Sequence, residues 1–201
     1  MIFPTKIQKQ LFCILLLVLI SIGIYFNSLK GSFQFDDVPL ISSPWIKNLD
    51  SFNRFVKITS FQNRPILLWT YALNNTLGKN KEFGFHLFNL LLHIGVTLLI
   101  FFSILKTFSF IRDRKNTENR SVGKNNATSV LLFPLITALI FSLHPLNTDS
   151  VAYISSRSSL LSTFFYLMSL YLFLNIFNYD KSNNLLSNAF YLFLWLLQLC
   201  T

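Results

Sequence analysis

The sequence predicts a single all-α domain that crosses a membrane several times, and three observations support that prediction. The chain of 201 residues is 52% hydrophobic, carries 23 phenylalanines and is only 12% charged, about half the charge of an ordinary soluble domain. Its mean hydropathy is +0.50. Apolar residues gather into runs of spanning length, while basic residues concentrate in short stretches between them, the pattern that orients helices in a bilayer.

The first span, about 8–28, is an almost unbroken apolar run behind Lys6 and Lys9. No small-x-small cleavage site follows it, so a retained anchor is expected rather than a cleaved signal peptide. A long polar-and-apolar loop, about 29–84, comes next. Within it, 49–58 has a partly helical period suited to an interface plane. Arg64-Pro65 opens a helix that Gly78 stops, with Trp69 and Tyr71 at headgroup level. Further spans are expected at about 85–105, 130–144 and 158–177. A last run at 189–200, about twelve residues, is too short to cross, so the chain reads as the first part of a longer protein.

Lys106, Arg112, Arg114, Lys115, Arg120 and Lys124 crowd the loop between the second and third spans. With Lys6 and Lys9 they place that loop and the N-terminus in the cytoplasm, and Asp36, Asp37 and Asp149 outside. Seven basic residues also lie between 27 and 84, at much lower density. The net charge of +9 serves topology, because no basic stripe with interleaved aromatics exists to bind nucleic acid. Cys13 and Cys200 both sit in apolar runs, where a thiol is a small buried hydrophobe.

Two polar clusters stand out. Asp36 and Asp37 follow the first span directly, where they read either as solvated or helix-capping carboxylates or as an acid–base pair. His144 to Arg157 forms a tight hairpin between two spans. Asp149 and Arg157 there read either as an ion pair or as an acceptor-side acid with a phosphate-binding guanidinium. His86 and His93 share one face of the second span, and hydrogen bonding between helices is favoured over a metal or haem site. Arg64 is a headgroup contact or a second phosphate ligand.

Phe35-Asp36-Asp37-x-x-Leu-Ile41, Asn63-Arg64-Pro65-x-x-x-x-Thr70-Tyr71-Ala-Leu-Asn74, Gly84-Phe85-His86-x-x-Asn89-x-x-x-His93 and His144-Pro145-x-x-Thr148-Asp149-x-Val151-Ala-Tyr-x-x-Ser-Arg157 occur in that order. Together they resemble the N-terminal membrane region of the transmembrane O-mannosyltransferases that target cadherins, and related prokaryotic multi-pass proteins with tetratricopeptide repeats. The resemblance implies a GT-C glycosyltransferase fold, a polyprenyl or dolichyl phosphate sugar donor and a protein Ser/Thr acceptor. It implies a home in a bacterial inner membrane, or in the endoplasmic reticulum of a eukaryote. Asp36 and Asp37 become the catalytic acidic motif and Asp149 the second acidic position, where the family more often has glutamate. Arg157 or Arg64 would bind the donor phosphate, with His86, His93 and His144 in support. No cofactor is expected, and a metal ion is not favoured. The alternatives are a non-catalytic membrane anchor of the same fold and, third, a transporter.

Overall fold

The computed structural model describes residues 6–58, 64–78, 81–118 and 127–179, and all regular structure among them is helical. The elements are α1 (Lys6–Tyr25), a 3-10 turn (Phe26–Lys30), α2 (Asp37–Ile41), a 3-10 turn (Pro44–Ile46), α3 (Leu49–Ile58) and α4 (Pro65–Gly78). Then come α5 (Glu82–Glu118), α6 (Ala127–Leu143), α7 (Asn147–Ala152), a 3-10 turn (Ile154–Ser156) and α8 (Arg157–Tyr179). The apolar run at 189–200 lies outside the described residues.

Among the described residues, three segments are long and apolar enough to cross a bilayer: Ile7–Lys30, Glu82–Arg112 and Ile154–Asn175. Val130–Leu143 is a shorter apolar helix. The 17 residues of α6 rise about 25 Å, short of a ~30 Å hydrocarbon core, and Pro134 removes one of its internal hydrogen bonds. This is an all-α, multi-pass membrane fold. Leu11, Phe12, Leu15 and Leu19 on α1, and Leu132, Phe133, Ile136 and Ile140 on α6, point outward, as side chains facing lipid do.

The central helix is α5, against which α1, α6 and α8 pack. Gly95 permits the approach of α8, since a Cβ there would lie 2.9 Å from Phe164 Cε2. Small residues let membrane helices meet closely, because packing rather than exclusion of water drives their association. Cys13, Leu17, Phe101, Leu105, Leu131 and Ala138 form the bundle core.

Polar side chains fix the helices at one end. The hydroxyls of Ser21 (α1) and Ser142 (α6) lie 2.8 Å apart, and Tyr25 Oη donates to the Ser142 carbonyl at 3.1 Å. Because Ser21 Oγ already donates to Leu17 O, Ser142 is the donor in the hydroxyl pair. These bonds bring the ends of α1 and α6 to the same level.

Above that level sits a cap built from the loop between α1 and α5. Ile41, Ile46, Phe52, Tyr71, Ala72, Phe85 and Ile154 make its core. Helix α3 is strongly amphipathic because Phe52 and its apolar neighbours turn inward onto α4 while Asn53 and Arg54 stay exposed. Asn75 Nδ2 donates to Ile46 O at 2.8 Å and Asn74 Nδ2 to Gly84 O at 3.2 Å. Those two amides tie α4 to the cap below and to the start of α5.

Candidate active site at the capped end of the bundle

Asp36 and Asp37, adjacent in sequence, occupy opposite environments. The Asp37 side chain turns inward and is buried. Its Oδ1 accepts from Ser155 N at 2.8 Å and from Ser155 Oγ at 2.7 Å, while Oδ2 accepts from Gln34 N at 3.2 Å. A carboxylate holding three donors is fixed in position and needs no further ligand. Asp36 is exposed and its carboxylate has no hydrogen-bond partner among the described residues.

The residue before them is strained. Phe35 has φ 43, a left-handed conformation in which a bulky side chain crowds its own backbone. With Phe35 in that conformation and Asp37 anchored to Ser155, the chain turns so that Asp36 points away from the protein.

Asp149, on α7, approaches the same turn from the other side, with Ser156 Oγ donating to its Oδ2 at 3.4 Å. Consecutive serines, Ser155 and Ser156, therefore hold the two acidic positions. Asp149 is exposed like Asp36.

Beneath the turn lies Arg157, with 0% exposure. Its Nε donates to Asn89 Oδ1 at 2.8 Å, Nη1 to Thr70 Oγ1 at 3.3 Å and Nη2 to Phe85 O at 3.1 Å. The guanidinium also lies over the rings of Tyr71 and Phe88, 4.5 Å from each centroid. Asn89 completes the link by donating to Val151 O at 3.4 Å and Tyr153 O at 3.3 Å. Tyr71 Oη donates to Ile154 O at 2.9 Å. Burial pushes the Tyr71 phenol up to about 12, with Arg157 opposing and Asp37 reinforcing the shift.

The expected ion pair between Asp149 and Arg157 is thus replaced by separate neutral partners for each. A phosphate role for Arg157 would require the guanidinium to leave three hydrogen bonds and two aromatic faces. Arg64 differs: it is exposed, also has a left-handed φ of 54, and lies near enough to act electrostatically on Tyr71.

The histidines do not converge. His86 Nε2 meets Gly31 O at 3.1 Å, and Gly31 is needed there because a Cβ would lie 3.0 Å from that nitrogen. His93, two turns deeper, is enclosed by Tyr25 edge-on at 4.9 Å and Phe141 stacked at 5.6 Å. His144 is exposed at the end of α6, its Nδ1 accepting from Leu146 N at 3.3 Å. Among the described residues, no three His, Cys, Asp or Glu side chains are grouped to hold a metal ion.

Buried Asp37 and exposed Asp149, held on consecutive serines above the buried Arg157, fall within the first and last of the four phrases that carried the family resemblance. Comparison with known proteins bears that resemblance out. The chain is similar to the protein O-mannosyl-transferases. It is 30% identical over 171 residues to protein O-mannosyl-transferase F38B6.6 of Caenorhabditis elegans, covering 78% of this chain and 22% of that one. Against human protein O-mannosyl-transferase TMTC3 it is 30% identical over 170 residues, covering 77% of this chain and 16% of the relative. Against human TMTC4 it is 27% identical over 210 residues, covering 96% and 27%. The chain thus spans about a quarter or less of the length of these O-mannosyl-transferases. No family model matches, and no solved structure matches.

Sequence reasoning gave no site role to Ser155, Ser156, Thr70, Tyr71 or Asn89, although Thr70, Tyr71 and Asn89 stand in the phrases that carried the resemblance. Asn89 had a signal, since it shares the His86 and His93 face of α5. Ser155 had none, because Asp37 lies 118 positions away along the chain, whereas Ser156 lies only seven positions from Asp149.

Proposed function

We propose that this protein takes part in transferring mannose from a polyprenyl or dolichyl phosphate to the Ser or Thr hydroxyl of a protein, on the extracytoplasmic face. The observation that carries this reading is the unequal pair, an outward carboxylate free to accept a proton beside a buried one held in place. Asp36 is the general base: it takes the proton from the acceptor hydroxyl as that oxygen attacks the anomeric carbon, and the lipid phosphate departs from the opposite face. Asp37 is its positioning residue, through Ser155 and Gln34. Asp149 faces the acceptor side. Arg64, exposed and cationic, is better placed than buried Arg157 to meet the departing phosphate.

The similarity to proteins named O-mannosyl-transferases supports the sugar and the protein acceptor; the lipid-linked donor rests on the family resemblance of the four phrases. The test is transfer of label from a lipid-phosphate mannose to acceptor protein in membranes carrying the chain in its full-length setting. Asp36→Asn keeps shape and volume while removing the proton acceptor, so transfer should fall by a factor of about 100 or more. Wild-type rates in that variant would remove Asp36 as the base.

A further inference from the structure

Phe35 is 86% exposed and Leu146 is 78% exposed, although each is a large apolar side chain on a loop with polar neighbours. Phe35 also carries the left-handed φ of 43, so the fold holds an unfavourable backbone conformation with the ring turned outward. In water that combination has no compensation. Both residues are pinned close to the ends of membrane spans. The loop bearing Phe35 is fastened on one side by Gly31 to His86, in the first turns of the span Glu82–Arg112. On its other side Asp37 is fastened to Ser155, the second residue of the span Ile154–Asn175.

Leu146 follows Leu143, the last residue of α6, whose end is level with Tyr25 through the Ser142 bonds. Phe26 and Leu143, exposed at that level, continue the lipid-facing surface of α1 and α6 toward the two loops. Exposed apolar side chains thus recur from the spans onto the loops that carry Asp36 and Asp149, with exposed Asn27, Lys30, Gln34 and His144 between them.

We propose that Phe35 and Leu146 insert into the lipid leaflet at the capped end, so that the Asp36 carboxylate stands at headgroup depth. Tethering at the first turn of two spans sets that depth, and an aromatic ring suits the interface. A ligand carrying its own acyl or isoprenoid chain would then reach Asp36 from within the bilayer.

The test uses the full chain in vesicles of phosphatidylcholine and phosphatidylglycerol, with Cys13→Ala and Cys200→Ala as background. A nitroxide is attached at Phe35→Cys or, separately, at Leu146→Cys, and its collision rates with oxygen and a water-soluble nickel complex are compared. Ile140, exposed on α6, marks the lipid limit, and exposed Lys47 marks the aqueous limit. The expected result is an oxygen preference at both loop positions, shifted severalfold from the Lys47 ratio toward that of Ile140. A ratio equal to that of Lys47 overturns the proposal. Protection from both reagents also overturns it, by showing that polypeptide, from a second copy or a further segment, covers the patch. The two labelling sites are read independently, so misfolding of one variant leaves the other decisive. No sugar transfer enters the readout, so its outcome is separate from that of the proposed activity.

Discussion

Replacing Arg157 by lysine keeps the positive charge and most of the stem, yet the structure predicts a large loss of stability. The guanidinium donates three hydrogen bonds through three different nitrogens, to Asn89, Thr70 and Phe85. A single ammonium cannot reach three acceptors arranged around a planar fork. Losing one or two bonds from a charged donor costs ~1.5–3 kcal/mol each, and losing the stack on Tyr71 and Phe88 costs a further ~1–2 kcal/mol. One lost bond and the lost stack together come to ~2.5–5 kcal/mol, about 4 at the centre. For a chain of this size that lowers the melting midpoint by roughly 8–16 °C. Thermal unfolding of Arg157→Lys and wild type in the same lipid nanodiscs measures it. A midpoint within about 2 °C of wild type would refute the reasoning, as the guanidinium would then be free to leave its partners. An unchanged midpoint with a raised KM for the lipid donor would go further and return Arg157 to phosphate binding.

Asp37→Asn should behave unlike Asp36→Asn: the amide carbonyl can still accept from Ser155, but its NH2 would face the Gln34 N–H, costing ~1–3 kcal/mol. Its melting midpoint should fall while that of Asp36→Asn stays at the wild-type value, and equal midpoints would refute the inward and outward assignment. Gly95→Val should weaken α5–α8 packing by ~1–3 kcal/mol, because its side chain begins 2.9 Å from Phe164; an unchanged midpoint would show that the helices can move apart freely. Tyr71, raised from 10.0 to about 12, contributes stability that is complete below pH 10 and is lost as pH rises from 10 to 12, ~3 kcal/mol in all. Melting of wild type and Tyr71→Phe across that range should converge as pH rises, and parallel curves would exclude the phenol as the cause.

The sequence by itself located the apolar runs near 8–28, 85–105 and 158–177 that match the three described helices long enough to span, because segment length against bilayer thickness is a local quantity. The run at 130–144, expected as a fourth span, forms a helix too short for that thickness. It also made certain polar residues conspicuous: carboxylates, an arginine and histidines beside apolar runs are costly wherever the chain folds, so Asp36, Asp37, Asp149 and Arg157 stood out by position alone. What it could not reveal is how neighbours differ. Asp36 and Asp37 share one local context, and only Ser155, 118 positions away, buries one and leaves the other outward. Arg157 has the same composition of neighbours whether it points to water or to Asn89, 68 positions away. Its direction follows from the packing of α4, α5 and α8 around it. Tertiary structure decided these roles because desolvation and hydrogen-bond partnership depend on what surrounds a group in space, and here the surroundings come from helices distant in the chain.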